Sequence, residues 1–242
     1  MLAVLCAIPQ EFNSLLRKVK AGKITSESGF RMCEATYESK DILLVQTGPG
    51  RKKAERVTES VLQDYTVDGV VSLGLAGALD EKLAVGNLVL CRSLYSQTSN
   101  PSTPCHCDSD WVSSSLARAE QKEIALQEGN SVSVRVPVCD AITKKALAKE
   151  FPAVVVEMES YWIGQIAHSR GVPFLCIRAV SDALSDYLPP FDRLMNANGS
   201  WRKGKATLYF LPKPWRVAKL ILLYRKMQQA AESLTNSFAL IK

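Results

Sequence analysis

Two short segments carry acids where an apolar run stops. One is Val154-Val155-Val156-Glu157-Met158-Glu159-Ser160, and the other is Cys176-Ile177-Arg178-Ala179-Val180-Ser181-Asp182. A run of Val or Ile bounded by turn-like residues reads as a buried strand, so the carboxylates behind it fall where a central sheet opens into loops. α/β proteins place their ligands there. Between the segments, Tyr161 to Gly171 has helix-compatible composition and closes on Gly171, with Pro173 soon after, so strand, helix and strand follow in order. Glu159 and Asp182 are therefore expected to face one crevice, as a pair of carboxyl groups suited to handling a proton and offsetting a positive charge.

These residues resemble the nucleoside phosphorylase and nucleosidase superfamily, in particular the 5′-methylthioadenosine/S-adenosylhomocysteine nucleosidases. In that superfamily a V-E-M-E segment binds ribose and a later S-D segment carries the catalytic aspartate. Two more landmarks stand in the expected order. Ala7-Ile8-Pro9-Gln10-Glu11 is similar to the segment that supplies the nucleosidases' water-activating glutamate, and Ser72-Leu73-Gly74-Leu75-Ala76-Gly77-Ala78 resembles their glycine loop. The resemblance spans roughly residues 1 to 190.

Breaking a purine N-glycosidic bond builds positive charge on the sugar and negative charge on the leaving base, which calls for an acid near the base and a carboxylate at the sugar. The resemblance assigns the first role to Asp182, beside Ser181, and the second to Glu159, with Glu157 in the same segment and Met158 against the sugar face. Glu11 would activate the attacking water. Ala76 and Gly77 would lie against the nucleoside, and Ile142 stands where related nucleosidases have an aromatic lid over the base. Read alone, Glu157 and Glu159 are also what a helix N-terminus attracts, at about 0.3 to 1 kcal/mol each. Gly48-Pro49-Gly50-Arg51 follows an apolar strand and precedes a helix, a context in which N–H groups can cradle an anion or a ribose edge, although it is equally a good turn. Leu75 departs from the pattern: relatives commonly carry Ser or Thr there, and losing that hydroxyl weakens a phosphate site and favours hydrolysis.

The elements needed to position these groups are visible in outline. Strands are expected at Leu2 to Ala7, Arg31 to Tyr37, Asp41 to Gln46, Gly69 to Leu73, Asn87 to Ser93, Val132 to Val138, Ala153 to Glu157 and Pro173 to Val180. Helical spacing of apolar residues marks Gln10 to Val19 and Arg51 to Tyr65. The alternation predicts an α/β fold, a single domain over residues 1–242 with a mixed central sheet sandwiched by helices. A chain of 242 residues, 47% hydrophobic and 22% charged, can bury a full core, and no run reaches the length of a membrane span. With no signal-like start and an odd count of seven cysteines, the expected location is cytoplasmic. Cys105-His106-Cys107 looks like metal chemistry but lacks a partner pair, so neither a metal nor a cofactor is expected.

The last part of the chain differs. Trp201 to Lys226 holds eight Lys and Arg and no Asp or Glu, which accounts for the net charge of +6. Leu188-Pro189-Pro190 and this segment, with Trp201, Tyr209, Phe210 and Trp215, resemble the hopanoid-associated branch, whose members are implicated in removing adenine from adenosylhopane. The basic stretch 201–242 is either a closing helix with solvated Lys and Arg or a peripheral membrane contact. No module for nucleic acid is present in the pattern. The expected partners are therefore a nucleoside, in one reading phosphate, and further copies of the chain in a homo-oligomer. The expected activity is purine nucleosidase or phosphorylase on a 5′-substituted adenosine. Alternatives are a 5′-methylthioadenosine/S-adenosylhomocysteine nucleosidase, a futalosine hydrolase, or a nucleoside-binding protein without catalysis.

Overall fold

The computed structural model describes residues 1–27, 29–98, 103–190, 194, 202, 204 and 214–241. Its strands are β1 (Leu2–Cys6), β2 (Lys20–Glu27), β3 (Phe30–Tyr37), β4 (Lys40–Gln46), β5 (Gly69–Ala78), β6 (Leu88–Ser96), β7 (Cys105–His106), β8 (Leu126–Ser133), β9 (Val155–Glu157) and β10 (Phe174–Asp182). Helices α1 (Pro9–Leu16), α2 (Arg51–Asp64), α3 (Ser109–Gln121), α4 (Ala141–Glu150), α5 (Ser160–Ser169) and α6 (Pro214–Leu234) lie between and after them, and a 3-10 turn (Thr235–Ala239) follows α6.

The strands join into one mixed sheet. β5 pairs in parallel with both β1 and β10 and antiparallel with β9, while β10 pairs with β6, β6 with β8 and β8 with β9. Pairing therefore runs β5, β10, β6, β8, β9 and back to β5, a closed circuit that removes two sheet edges. From β1 the sheet continues outward through β4, β3 and β2. Every residue of β10 is buried, as expected of a strand covered on both faces. The core is sealed partly from the far end of the chain: Ala230, Leu234, Phe238, Leu240 and Ile241 pack into the same cluster as Phe12, Leu15 and Phe174. Tyr37 stacks on Phe238 with ring centroids 5.2 Å apart.

Three expectations require correction. The glycine loop is strand throughout, because β5 runs on to Ala78 and its Gly74 to Gly77 segment pairs with β10. The strand expected at Val132 to Val138 lies at Leu126–Ser133 instead. The alternating Val134-Arg135-Val136-Pro137-Val138 imitates a strand, but Pro137 has no N–H to offer a ladder. Ser96 to Asp110, whose Ser, Thr, Asn and Pro content reads as a polar loop, includes β7 paired against β6, and Asp108 caps α3 by accepting from the Trp111 N–H at 2.8 Å.

Candidate active site

Three elements converge on Glu11. It stands in the first turn of α1, where its carboxylate accepts the N–H groups of Ala7 (2.7 Å) and Ile8 (2.9 Å) from the β1–α1 turn. Its other oxygen accepts the N–H of Leu75 in β5 at 2.8 Å. The residue that lacks the expected hydroxyl thus engages Glu11 through its backbone. Burial pushes the Glu11 carboxyl above its ordinary value, and the three N–H groups with the nearby Arg178 charge work against that rise. Arg178 of β10 is 2% exposed and approaches β5 at Gly74. A Cβ on Gly74 would meet Arg178 Nη1 at 3.1 Å and Glu11 Oε1 at 3.2 Å, so any larger residue would press these two site groups out of place by a few tenths of an ångström.

The two glutamates of the Val-Glu-Met-Glu segment are held differently. Glu157, at the end of β9, accepts Arg178 Nη2 at 3.1 Å, the Ser133 hydroxyl, and the N–H groups of Glu159 (2.8 Å) and Ser160 (2.7 Å). Burial works to raise it, but Arg178 and these hydrogen bonds outweigh burial and hold Glu157 below the ordinary glutamate value. Glu159 occupies the N-cap position of α5 and accepts from the Gly50 N–H at 2.7 Å. Burial first, then the charge of Glu157, push Glu159 up to about 8. Glu11, Glu159 and Arg178 line one small cavity, together with Thr47, Ser72 and Leu75.

Asp182 closes β10. Its Oδ1 lies 2.6 Å from the Ser181 hydroxyl, which is also 3.2 Å from the Ala76 carbonyl. Its Oδ2 accepts from Nζ of Lys144, a fully buried residue of α4 that also donates to the Ala183 carbonyl at 2.6 Å. Gly77 lies under this pair, since a Cβ there would meet Asp182 Oδ2 at 2.9 Å and Lys144 Cε at 3.4 Å.

The remaining expected residues divide. Met158 is half-buried, and its methyl would lie 3.9 Å from a Cβ on Gly50. Gly48 and Gly50 have φ of 83° and 90°, a conformation glycine adopts without strain. Arg51 is engaged elsewhere: its guanidinium stacks 3.8 Å from the Trp162 ring centroid and pairs with Glu55 at 2.9 Å. Ile142, in the first turn of α4, is 76% exposed and stands apart from the cavity-lining residues. His106 is bonded to Ser93, and Cys105 lies 3.7 Å from His168. Among the described residues no three His, Cys, Asp or Glu side chains gather as metal ligands. No helix of the described residues is long and apolar enough to cross a membrane.

Arg178 and Lys144 are functional candidates that sequence reasoning missed. Arg178 did leave a signal, since a guanidinium inside an apolar strand must find a buried partner. Lys144 left none, because Lys144-Lys145 on a helix looks like any solvated surface.

An α/β protein whose parallel strand ends carry a buried set of carboxylates beside glycine-bearing β5 belongs among enzymes that bind small ligands at the sheet's open end. The family comparison agrees: residues 1–198 match the family described as Phosphorylase superfamily, and the chain belongs to it. A 5′-methylthioadenosine/S-adenosylhomocysteine nucleosidase of Glaesserella parasuis serovar 5 (strain SH0165) is 29% identical over 198 residues, covering 75% of this chain and 85% of that one. Among solved structures, the chain is similar to the Neisseria meningitidis 5′-methylthioadenosine/S-adenosylhomocysteine nucleosidase in complex with methylthio-immucillin-A. There the TM-score is 0.78 at 22% identity, covering 99% of this chain and 96% of that one. The Helicobacter pylori strain 26695 futalosine hydrolase superposes with a TM-score of 0.76 at 18% identity, covering 99% and 96%.

Proposed function

We propose that this protein hydrolyses the N-glycosidic bond of a purine nucleoside, with a 5′-substituted adenosine as substrate. The observation that carries the reading is the shared cavity of Glu11 and Glu159, with Asp182 at the end of the strand that also bears Arg178. As the C1′–N9 bond breaks, Glu159 holds the ribose hydroxyls by hydrogen bonds and in its ionised form offsets the charge growing on the sugar. Glu11 takes a proton from the attacking water, and Asp182 serves the leaving base; acid–base help of this kind contributes about 10² to 10⁴ in rate. Relatives named as 5′-methylthioadenosine/S-adenosylhomocysteine nucleosidases and a futalosine hydrolase support the same class of reaction.

Water is favoured over phosphate by the charges. Two carboxyl groups line the cavity, and Arg178, the cation among its lining residues, is already paired with Glu157. A phosphate dianion would find no cation there that a carboxylate does not already hold. Adenine release from a panel of 5′-substituted adenosines, with and without phosphate, tests the reading. Adenine and free sugar without phosphate are expected; no release, or release only with phosphate and a sugar phosphate as product, would overturn it. Glu11→Gln should lower hydrolysis at least about 10²-fold.

The surface of α6 supports a lipid-bearing 5′ substituent of the adenosylhopane kind, reached at a bilayer. Trp215, Ile221, Leu222 and Tyr224 are exposed, and no acid occurs between Pro214 and Ala231. Trp201, Tyr209, Phe210 and Lys213 lie outside the described residues. Peripheral contact with an anionic leaflet is worth about 1 kcal/mol per basic residue near it. Co-sedimentation with anionic vesicles should weaken with salt and with Lys219→Gln plus Arg225→Gln; salt-insensitive or absent binding overturns the contact. Sedimentation velocity checks the homo-oligomer that the family resemblance implies.

A further inference from the structure

Lysine is seldom fully buried, and Lys144 is, in contact with the carboxylate that serves the leaving base. Both Asp182 oxygens are engaged, Oδ2 by the Lys144 ammonium and Oδ1 by the Ser181 hydroxyl. Lys144, held against the carboxylate in this way, is placed to pass a proton to it. Its position is fixed from two sides, by the Ala183 carbonyl and by α4, whose N-cap Asp140 accepts from the Thr143 N–H at 2.8 Å. Gly77 keeps the space beneath open, as a Cβ there would come within 2.9 Å of Asp182 Oδ2 and touch Lys144.

We propose that Lys144 is a positioning and proton-holding residue that supplies, through Asp182, the proton taken up by the departing purine. This rests on the nucleosidase reading above. The C1′–N9 bond breaks with its electron pair moving to the purine. The Lys144 ammonium passes a proton to Asp182, which hands it on to the base, so that Lys144 becomes a neutral amine and Asp182 ends as the carboxylate it began as. Water forms the new bond to C1′, and its released proton passes to Glu11. Solvent then removes that proton and returns one to Lys144, so each turnover balances. Lysine suits the task because its ammonium releases a proton where a guanidinium does not. The charged groups facing Lys144 are Asp182 from β10, Asp140 from its own helix, and Asp186 from the segment after β10, itself held by Lys226 of α6.

The test compares two leaving groups in the full-length protein. A purine nucleoside needs its base protonated, whereas 4-nitrophenyl riboside expels a stable phenolate unaided. Lys144→Met should lower kcat on the purine nucleoside about 10²-fold and on the nitrophenyl riboside by well under about 10-fold, as should Asp182→Asn. Lys144→Arg, which keeps the charge, should be as impaired on the purine nucleoside as Lys144→Met. Turnover of the nitrophenyl riboside shows that each variant is folded. Equal losses on both substrates, unchanged purine turnover in Lys144→Met, or recovery in Lys144→Arg would each overturn the proposal while leaving the nucleosidase reading in place. A wild-type protein that cleaves neither substrate would overturn both.

Discussion

Glu157 and Glu159 are two residues apart in sequence and held in opposite ways. Glu157 is surrounded by donors, with a guanidinium, a hydroxyl and two backbone N–H groups on its carboxylate. Glu159 accepts from the Gly50 N–H and carries the repulsion of its neighbour. The difference shows how one short segment can combine scaffold and chemistry. The donors that fix Glu157 also join β9, β8, β10 and α5, while Glu159 retains acceptor capacity for a ligand.

The comparison can be broken most directly at Glu157. Glu157→Gln leaves the buried Arg178 charge without its partner and should cost about 3–5 kcal/mol of stability, read by urea unfolding. An unfolding midpoint equal to wild type would show that Glu157 is not structural. Glu159→Gln should do the reverse, keeping the midpoint while kcat/KM for a purine nucleoside falls about 10²-fold, because the role proposed for it is played at the transition state. If both variants lost stability equally, the division between scaffold and chemistry would not hold.

A smaller effect sharpens the same contrast through pH. Glu159 titrates near about 4.3 when unfolded and at about 8 when folded, so the folded protein keeps a proton that the unfolded chain has released. Its contribution to stability is fully present below the unfolded value and is lost as pH rises through the folded one. Glu157 has the opposite sign: its contribution is present above the ordinary value and is lost as pH falls through its lowered folded value. Between about pH 5 and 8 the Tm of Glu159→Gln should therefore fall less with pH than that of the wild type. Parallel Tm curves would mean that Glu159 is not held protonated in the folded protein.

Much of this fold could be read from the sequence because the buried strands announce themselves. β1, β4, β5 and β10 are apolar runs rich in Val, Leu and Ile, and the acids that end β9 and β10 needed no structure to be noticed. β2 escaped because an edge strand of Lys, Gly and Ser residues has no apolar face to display. α3 and α4 each offered an Asp N-cap, at Asp108 and Asp140, that could have revealed them. Lys144 could not be foreseen at all, because nothing local distinguishes a lysine bound for the core from one bound for water. What places it there is pairing across 38 positions, a property of the packed fold.

The link from Lys226 to Asp186, and from Asp186 to the Ala183 N–H at 2.8 Å, ties α6 to the residue immediately after Asp182. Residues 230–241 fill the core beneath it. During synthesis the elements carrying Glu11, Glu157 and Asp182 emerge well before these parts, so a nascent chain holds its acids without the support that fixes them. The groups proposed for acid–base work are then brought to their final positions only when α6 docks.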